Sequence, residues 1–142
     1  MAGTVVADTL QAASTSTLVL KNGVANTPPT IQDSAGTEIG TLCRAFVNFN
    51  GTGTVAIRAS FNVTSNTDNG TGDYTVNFTT AMPDANYCVT TSNKYDDANT
   101  SFANGVTVVA RYTTAFQTGS VRVQTGINAL TDTVAVCVAI FR

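Results

Sequence analysis

The sequence predicts an all-β fold, an antiparallel β-sandwich or jelly-roll-like domain. Threonine is abundant, and its β-branched side chain suits a pleated strand better than a helix. Long runs of Ala, Leu, Glu, Lys and Gln, the usual material of helices, are missing. Short segments with alternating apolar residues recur about every 8–12 residues with turn residues between them, as in sandwich domains.

Composition limits the classes of function. The 142 residues suit one domain, and an apolar content of 43% is enough to build a core and argues against disorder. Charged residues make up 11%, against about 25% in an average domain, so neutral hydroxyl and amide groups must cover the surface. A net charge of −2 with scattered cations argues against a nucleic-acid partner. No apolar stretch reaches the ~20 residues that a membrane-spanning helix needs, so we expect no membrane insertion.

Two regions differ in character. We interpret residues 1–40 as an N-terminal arm and possible attachment segment, or as a first hairpin of the same domain, because Pro28 and Pro29 interrupt any regular ladder. A single helical turn fits near residues 7–13. Residues 41–142 are predicted to form the β-sandwich domain. The first residues lack the basic region and long apolar core of a secretory signal.

The strand pattern is clearest in the middle of the chain. Tyr74, Val76 and Phe78 alternate with polar residues, which predicts a strand with one buried face. Asn50-Gly51 predicts a two-residue hairpin turn, since both positions tolerate positive φ. A second turn segment is expected at 65–72 and an exposed loop at 92–104. The predicted strands from position 43 onward are 43–49, 54–64, 74–79, 86–91, 105–112, 119–125 and 133–141.

The last predicted strand is apolar on both faces. One face carries Val134, Val136, Val138 and Ile140, and the other carries Ala135, Cys137, Ala139 and Phe141. Such a strand lies either centrally, with both faces covered, or in an interface between subunits. We expect a homotrimer that buries the second face. The interface candidates are Val136, Cys137, Val138 and Phe141.

Three cysteines, Cys43, Cys88 and Cys137, lie far apart in strand-like contexts. An odd number without CxxC-like spacing argues against a disulfide framework and a zinc site. We predict buried, reduced thiols. A single bridge, or a contact near a symmetry axis, is the alternative.

The residues that catalysis requires are scarce. The chain has no histidine and a single glutamate, Glu38, so no Ser-His or Cys-His pair can form. A glycosidase needs two carboxylates at a defined separation. The candidates in the later half are Asp84, Asp96, Asp97 and Asp132. Residues 68–73 lack the closing Glu of a calcium loop and suit a turn. We expect no enzymatic activity, no cofactor and no metal site.

One loop could bind a ligand. Its aromatic rings could stack on sugars, and its carboxylates and amide could bond hydroxyl groups. A solvated connection without a ligand is the alternative reading. The candidate receptor-binding residues are Tyr95, Asp96, Asp97, Asn99 and Phe102.

Several short sequence segments resemble those of a known family. They are residues 44–58 (RAFVNFNGTGTVAIR), 61–63 (FNV), 68–76 (DNGTGDYTV), 81–87 (AMPDANY) and 7–11 (ADTLQ). Together they resemble a domain of tail-fibre-type virion proteins of tailed bacteriophages, especially those infecting marine bacteria and cyanobacteria. The resemblance covers the first two-thirds of the chain and fades after Asn93.

The resemblance implies a β-rich, trimeric part of a phage particle, made in the bacterial cytoplasm and incorporated into the virion. In that family the expected role is contact with the host cell surface, including its glycans. Attachment to other virion proteins, of the tail or of the capsid, would use the N-terminal arm. No long shaft and no tail-attachment domain is recognisable, so a capsid decoration protein or a head fibre is the alternative.

Overall fold

The structure, a computed structural model, describes residues 31–94, 107–110, 114–126 and 129–142. Every ladder between its strands is antiparallel, and no helix occurs within these ranges. The predicted all-β class is therefore confirmed. The strands are Ile31–Gln32 (β1), Glu38–Gly40 (β2), Cys43–Asn50 (β3), Ala56–Phe61 (β4), Val63–Gly70 (β5), Asp73–Phe78 (β6), Cys88–Lys94 (β7), Thr107–Val109 (β8), Phe116–Gln117 (β9), Ser120–Thr125 (β10) and Ala135–Phe141 (β11).

Two larger sheets share one hydrophobic core. Sheet I has the strand order β4-β3-β11-β7, and sheet II has the order β5-β6-β10-β8, with β9 also paired to β10. Apolar side chains from both sheets form a single buried cluster, which gives the arrangement its sandwich-like character. The cluster contains Ala45, Val47, Phe49, Val63, Tyr74, Val76, Phe78, Met82, Tyr87, Val121, Val123, Val136, Val138 and Ile140.

Alternation along each central strand divides core from surface, because successive side chains of a strand point to opposite faces. Tyr74, Val76 and Phe78 of β6 are buried, as their spacing predicts. Val121 and Val123 of β10 lie beside them in the ladder and are also buried. In β11 the core face carries Val136, Val138 and Ile140. The last strand is thus central in sheet I, one of the two positions expected for it.

Asn62 divides what looks like one strand into two. The prediction of a single strand at 54–64 is wrong, because β4 belongs to sheet I and β5 to sheet II. Asn62 has a φ of 54°, a left-handed conformation that asparagine adopts more readily than most residues. Its Nδ2 donates to the Arg44 and Thr80 carbonyls, both at 3.1 Å, and its Oδ1 accepts from Thr80 N at 2.7 Å. These bonds fix the corner where the chain changes sheets.

Asn50-Gly51 does not form the predicted two-residue turn, because Asn50 still belongs to β3. The β3–β4 connection is 51–55, and the Asn50 side chain organises it by donating to the carbonyls of Thr52 and Thr54. In the next hairpin, β5 continues to Gly70, so the turn segment predicted at 65–72 is mostly strand. The connection there is Thr71-Gly72, with Gly72 at a φ of 62°. Both connections contact the residues before β11: Gly51 N donates to the Thr133 carbonyl at 3.0 Å and Gly72 N donates to Asp132 Oδ1 at 2.6 Å.

Strand β7 is longer than expected. It pairs with β11 over its full length, from Cys88 to Lys94, so the first residues of the predicted loop at 92–104 are strand. The ladder with an apolar central strand extends β7 beyond the position at which its own sequence becomes polar. The remainder of that loop lies outside the described residues.

The β1–β2 hairpin at residues 31–40 forms a separate two-stranded sheet. Asp33 Oδ1 accepts hydrogen bonds from Ala35 N and Thr37 N, both at 2.9 Å, which fixes its turn. Ile31 and Ile39 are 45% and 65% exposed. The rest of the predicted N-terminal arm and the helical turn near 7–13 lie outside the described residues. Within the described ranges, no helix has the length and apolar character to cross a membrane.

Candidate contact surface

The outer face of sheet I, here called the apolar face, is built from the out-of-core side chains of four strands. The ladders place Phe61 opposite Phe46 and Phe46 opposite Ala139. Cys137 lies opposite Asn48 on one side and Ser92 on the other. These side chains share the face away from the core, because their neighbours Val47 and Val138 are buried. The surface is neutral and largely apolar through its centre.

Two phenylalanines form a ridge on this face. The rings of Phe46 and Phe61 lie 6.4 Å apart between centroids, with an interplanar angle of 28°. Phe46 is 42% exposed and Phe61 is 54% exposed. Burying aromatic side chains of this size is worth roughly 1.5–3 kcal/mol each. The ridge therefore leaves substantial apolar area in water.

A shallow groove of about 200 Å³ lies beside the ridge. The short side chains of Cys137 and Ala139 on the central strand leave a depression beside the longer side chains of Phe46 and Asn48 on β3. The residues that line it include Phe46, Asn48, Thr90, Ser92, Cys137 and Ala139. The ridge and the groove are therefore adjacent features of one surface.

The predicted interface residues separate onto two faces. Val136 and Val138 are 0% and 3% exposed and serve the core between the sheets, so a partner cannot contact their side chains. Cys137 and Phe141 are half-buried on the apolar face. We therefore exclude Val136 and Val138 from the candidate interface, while Cys137 and Phe141 stay predictions.

The outer face of sheet II, here called the polar face, has the opposite character. Asn77 Nδ2 donates to Ser65 Oγ at 3.1 Å and to Thr67 Oγ1 at 3.0 Å. Asn69 Nδ2 donates to Thr75 Oγ1 at 2.9 Å. These cross-strand bonds satisfy much of the polar capacity of the face within the chain itself. The remaining groups face water.

An ion pair extends this polar network. Arg122 Nε and Nη2 donate to the two oxygens of Asp73 at 2.7 and 2.9 Å, and Gln124 Nε2 adds a bond of 2.8 Å. Asp73 is 5% exposed. Burial raises the pKa of this carboxyl, but the hydrogen bonds from Arg122 and Gln124 and the charge of Arg122 outweigh burial, so the pKa lies below its ordinary value.

The other described carboxylates considered for catalysis have structural partners. Asp84 forms an ion pair with Arg142 at 2.6 Å. The Tyr74 hydroxyl lies 2.8 Å from both Asp132 Oδ1 and the Gly51 carbonyl oxygen. Burial, followed by the Asp132 carboxylate, raises the pKa of Tyr74 far above its ordinary value, so the hydroxyl stays a donor. Among the described residues no three His, Cys, Asp or Glu side chains cluster as metal ligands would.

The candidate receptor loop falls within 95–106, outside the described residues. The set proposed from sequence, Tyr95, Asp96, Asp97, Asn99 and Phe102, therefore stays a prediction.

The cysteines differ from expectation in burial. All three are free thiols, but Cys88 is exposed, and Cys43 and Cys137 are half-buried. The prediction of buried thiols is therefore wrong. Cys137 occupies the outward position on a strand whose alternate residues fill the core. Cys88 lies at the end of β7, opposite Phe141.

Sequence reasoning missed the ridge. Phe46 lies out of phase with Ala45, Val47 and Phe49, which form the core face of β3. A bulky aromatic residue at an outward position of a half-buried strand is the signal that could have identified it. Its pairing with Phe61 depends on the β3–β4 register, which no local pattern specifies.

Comparisons with protein-family models, with curated proteins and with solved structures found no match for this chain.

Proposed function

We propose that this chain is a structural protein of a bacteriophage particle, of the tail-fibre type, which contacts the host cell surface. The observation that carries the proposal is the division of the sandwich into a polar face and an apolar face. A face whose amides and hydroxyls are already paired suits long exposure to water, and an uncovered apolar face suits assembly. The resemblance of residues 44–87 to tail-fibre-type proteins supports the same assignment.

The proposed role is contact and not turnover. Asp84 and Asp132 are engaged by Arg142 and Tyr74, which leaves neither poised as a free acid or base. A neutral surface rich in hydroxyl and amide groups can bond to host glycans with little dependence on salt. Incubation of the pure chain with host cell-wall glycans should release no new reducing ends.

Capsid decoration is the second candidate, and the hairpin at residues 31–40 favours it. The hairpin forms its own sheet and exposes Ile31 and Ile39, and an isolated two-stranded hairpin needs packing for stability. Such an arm could clamp a neighbouring shell protein.

Counting the chain in purified virions tests both roles. Tail fibres require a small number of copies at one vertex, whereas decoration requires copies over the whole shell. Labelled antibody on intact particles, viewed by electron microscopy, gives the location directly. Binding of the purified chain to host cells should accompany a tail location. Absence of the chain from virions would refute both candidates.

A further inference from the structure

We infer that the apolar face is a self-association surface, on which the Phe46–Phe61 ridge of one copy occupies the Cys137–Ala139 groove of a second copy. This inference deepens the proposed structural role by naming the partner of one face.

The shape of the face points to a second copy of the chain. The ridge is formed by β3 and β4 and the groove lies over β11, so both occur side by side on the same surface. A surface that carries a projection next to a matching depression can pair with itself, as closed homo-oligomers do. No partner of a different shape is needed to fill it.

The charge of the face permits this contact. Identical copies present identical charges, so a strongly charged patch would repel its own image. The central rows of the apolar face carry Phe, Ala, Cys, Asn, Thr and Ser side chains and no ionised group. The Arg122–Asp73 ion pair and the hydrogen bonds of Asn77 lie instead on the polar face. Covering these central rows therefore removes no charge from water, while Lys94, opposite Ala135, and Arg58, beside Asn50 Oδ1, lie at one end of the face.

The size of the apolar face limits how strongly two copies can associate. With about 4.8 Å between strands and about 3.3 Å per residue, sheet I presents a face of roughly 15 by 25 Å. A standard interface buries about 800 Å² on each partner, so this face, with a projected area of roughly 400 Å², is about half that size and suits a weak contact. We therefore expect association that depends on concentration, strengthened in a particle where copies are held close together.

Light scattering on the full chain over a dilution series tests the inference. The wild-type mass should rise with concentration to a whole multiple of 14.7 kDa. Phe61→Asp removes the ridge and Ala139→Arg fills the groove. Both side chains point away from the core, so each variant should stay folded by circular dichroism and keep the mass of one chain at every concentration.

Two matched controls locate the contact. Val108→Asp changes a residue of sheet II that is 45% exposed, and Ile39→Asp changes the β1–β2 hairpin at a residue that is 65% exposed. Both should associate as the wild type does. A wild type that stays monomeric throughout, or association that survives Phe61→Asp and Ala139→Arg, overturns the inference. Loss of association in a control alone would also overturn it, because the contact would then lie elsewhere.

The test of self-association and the test of the proposed virion role can give different results. A chain that associates through this face but is absent from virions supports the inference and removes the virion role. A monomeric chain found in virions does the reverse.

Discussion

The two outer faces of this sandwich differ in how their side chains are satisfied: one is hydrogen-bonded within the chain, and the other leaves aromatic rings exposed. On the polar face, Asn77 and Asn69 bond neighbouring hydroxyl groups and Arg122 pairs with Asp73. On the apolar face, the Phe46 and Phe61 rings lie beside each other and remain 42% and 54% exposed. The first face is complete within one chain, and the second gains from being covered. Since both faces belong to strands of similar length, the difference lies in side chains and not in architecture.

The largest expected effect comes from a matched pair on β11. Val138→Lys places an unpaired charge in the core between the sheets and should lower the free energy of unfolding by about 4 kcal/mol. Ala139→Lys, one residue further, points outward and should change it by less than about 0.5 kcal/mol. Urea denaturation of both variants measures the difference. Equal losses would mean that the two faces of the strand are equally covered within one chain.

A smaller loss is expected on the polar face. Arg122→Met leaves the buried Asp73 carboxylate without its cation and should lower the free energy of unfolding by about 2 kcal/mol. Arg58→Met, at an exposed arginine whose guanidinium lies 3.4 Å from Asn50 Oδ1, is the matched control and should cost less than about 0.5 kcal/mol. Similar losses in both would argue that the Arg122–Asp73 pair contributes nothing special.

The same ion pair predicts a pH dependence. The pKa of Asp73 is lower in the folded chain than in the unfolded chain, so its stabilisation is fully present above the unfolded value of about 3.9. It is lost as the pH falls through the lowered folded value. The free energy of unfolding, measured by urea denaturation at a series of pH values, should therefore fall more steeply towards acid pH for the wild type than for Arg122→Met. Parallel profiles would contradict this assignment.

The features of the fold and of the contact surface that could be predicted from sequence are those that depend on residues close together in the chain. The alternation of Tyr74, Val76 and Phe78 predicts β6. The apolar residues on both faces of β11 predict that this strand is either central or interfacial. The corner at Asn62 depends on carbonyls contributed by Arg44 and Thr80, which are distant in sequence. The Phe46–Phe61 ridge depends on register. Local patterns specify which strands form, while tertiary contacts decide where they bend and what their outer faces share.

The smallest expected effect is a gain. Asn66 on β5 lies opposite Val76, and its Oδ1 and Nδ2 are buried without a hydrogen-bond partner among the described residues. Asn66→Val should raise the free energy of unfolding by about 1 kcal/mol, because it removes unpaired polar groups. Asn77→Val, on the polar face of the neighbouring strand β6, removes satisfied bonds and should lower it by about 0.5–1 kcal/mol. The same sign in both variants would contradict the division between the faces.

The reactivity of the Cys137 thiol tests the central claim most directly. In a Cys43→Ser, Cys88→Ser chain this thiol is the single labelling site, and it lies in the groove that a second copy would cover. We predict that its rate of alkylation falls as protein concentration rises, and that Ala139→Arg abolishes this dependence. A rate that is constant across the concentration series would show that the apolar face stays open to water and would contradict the account.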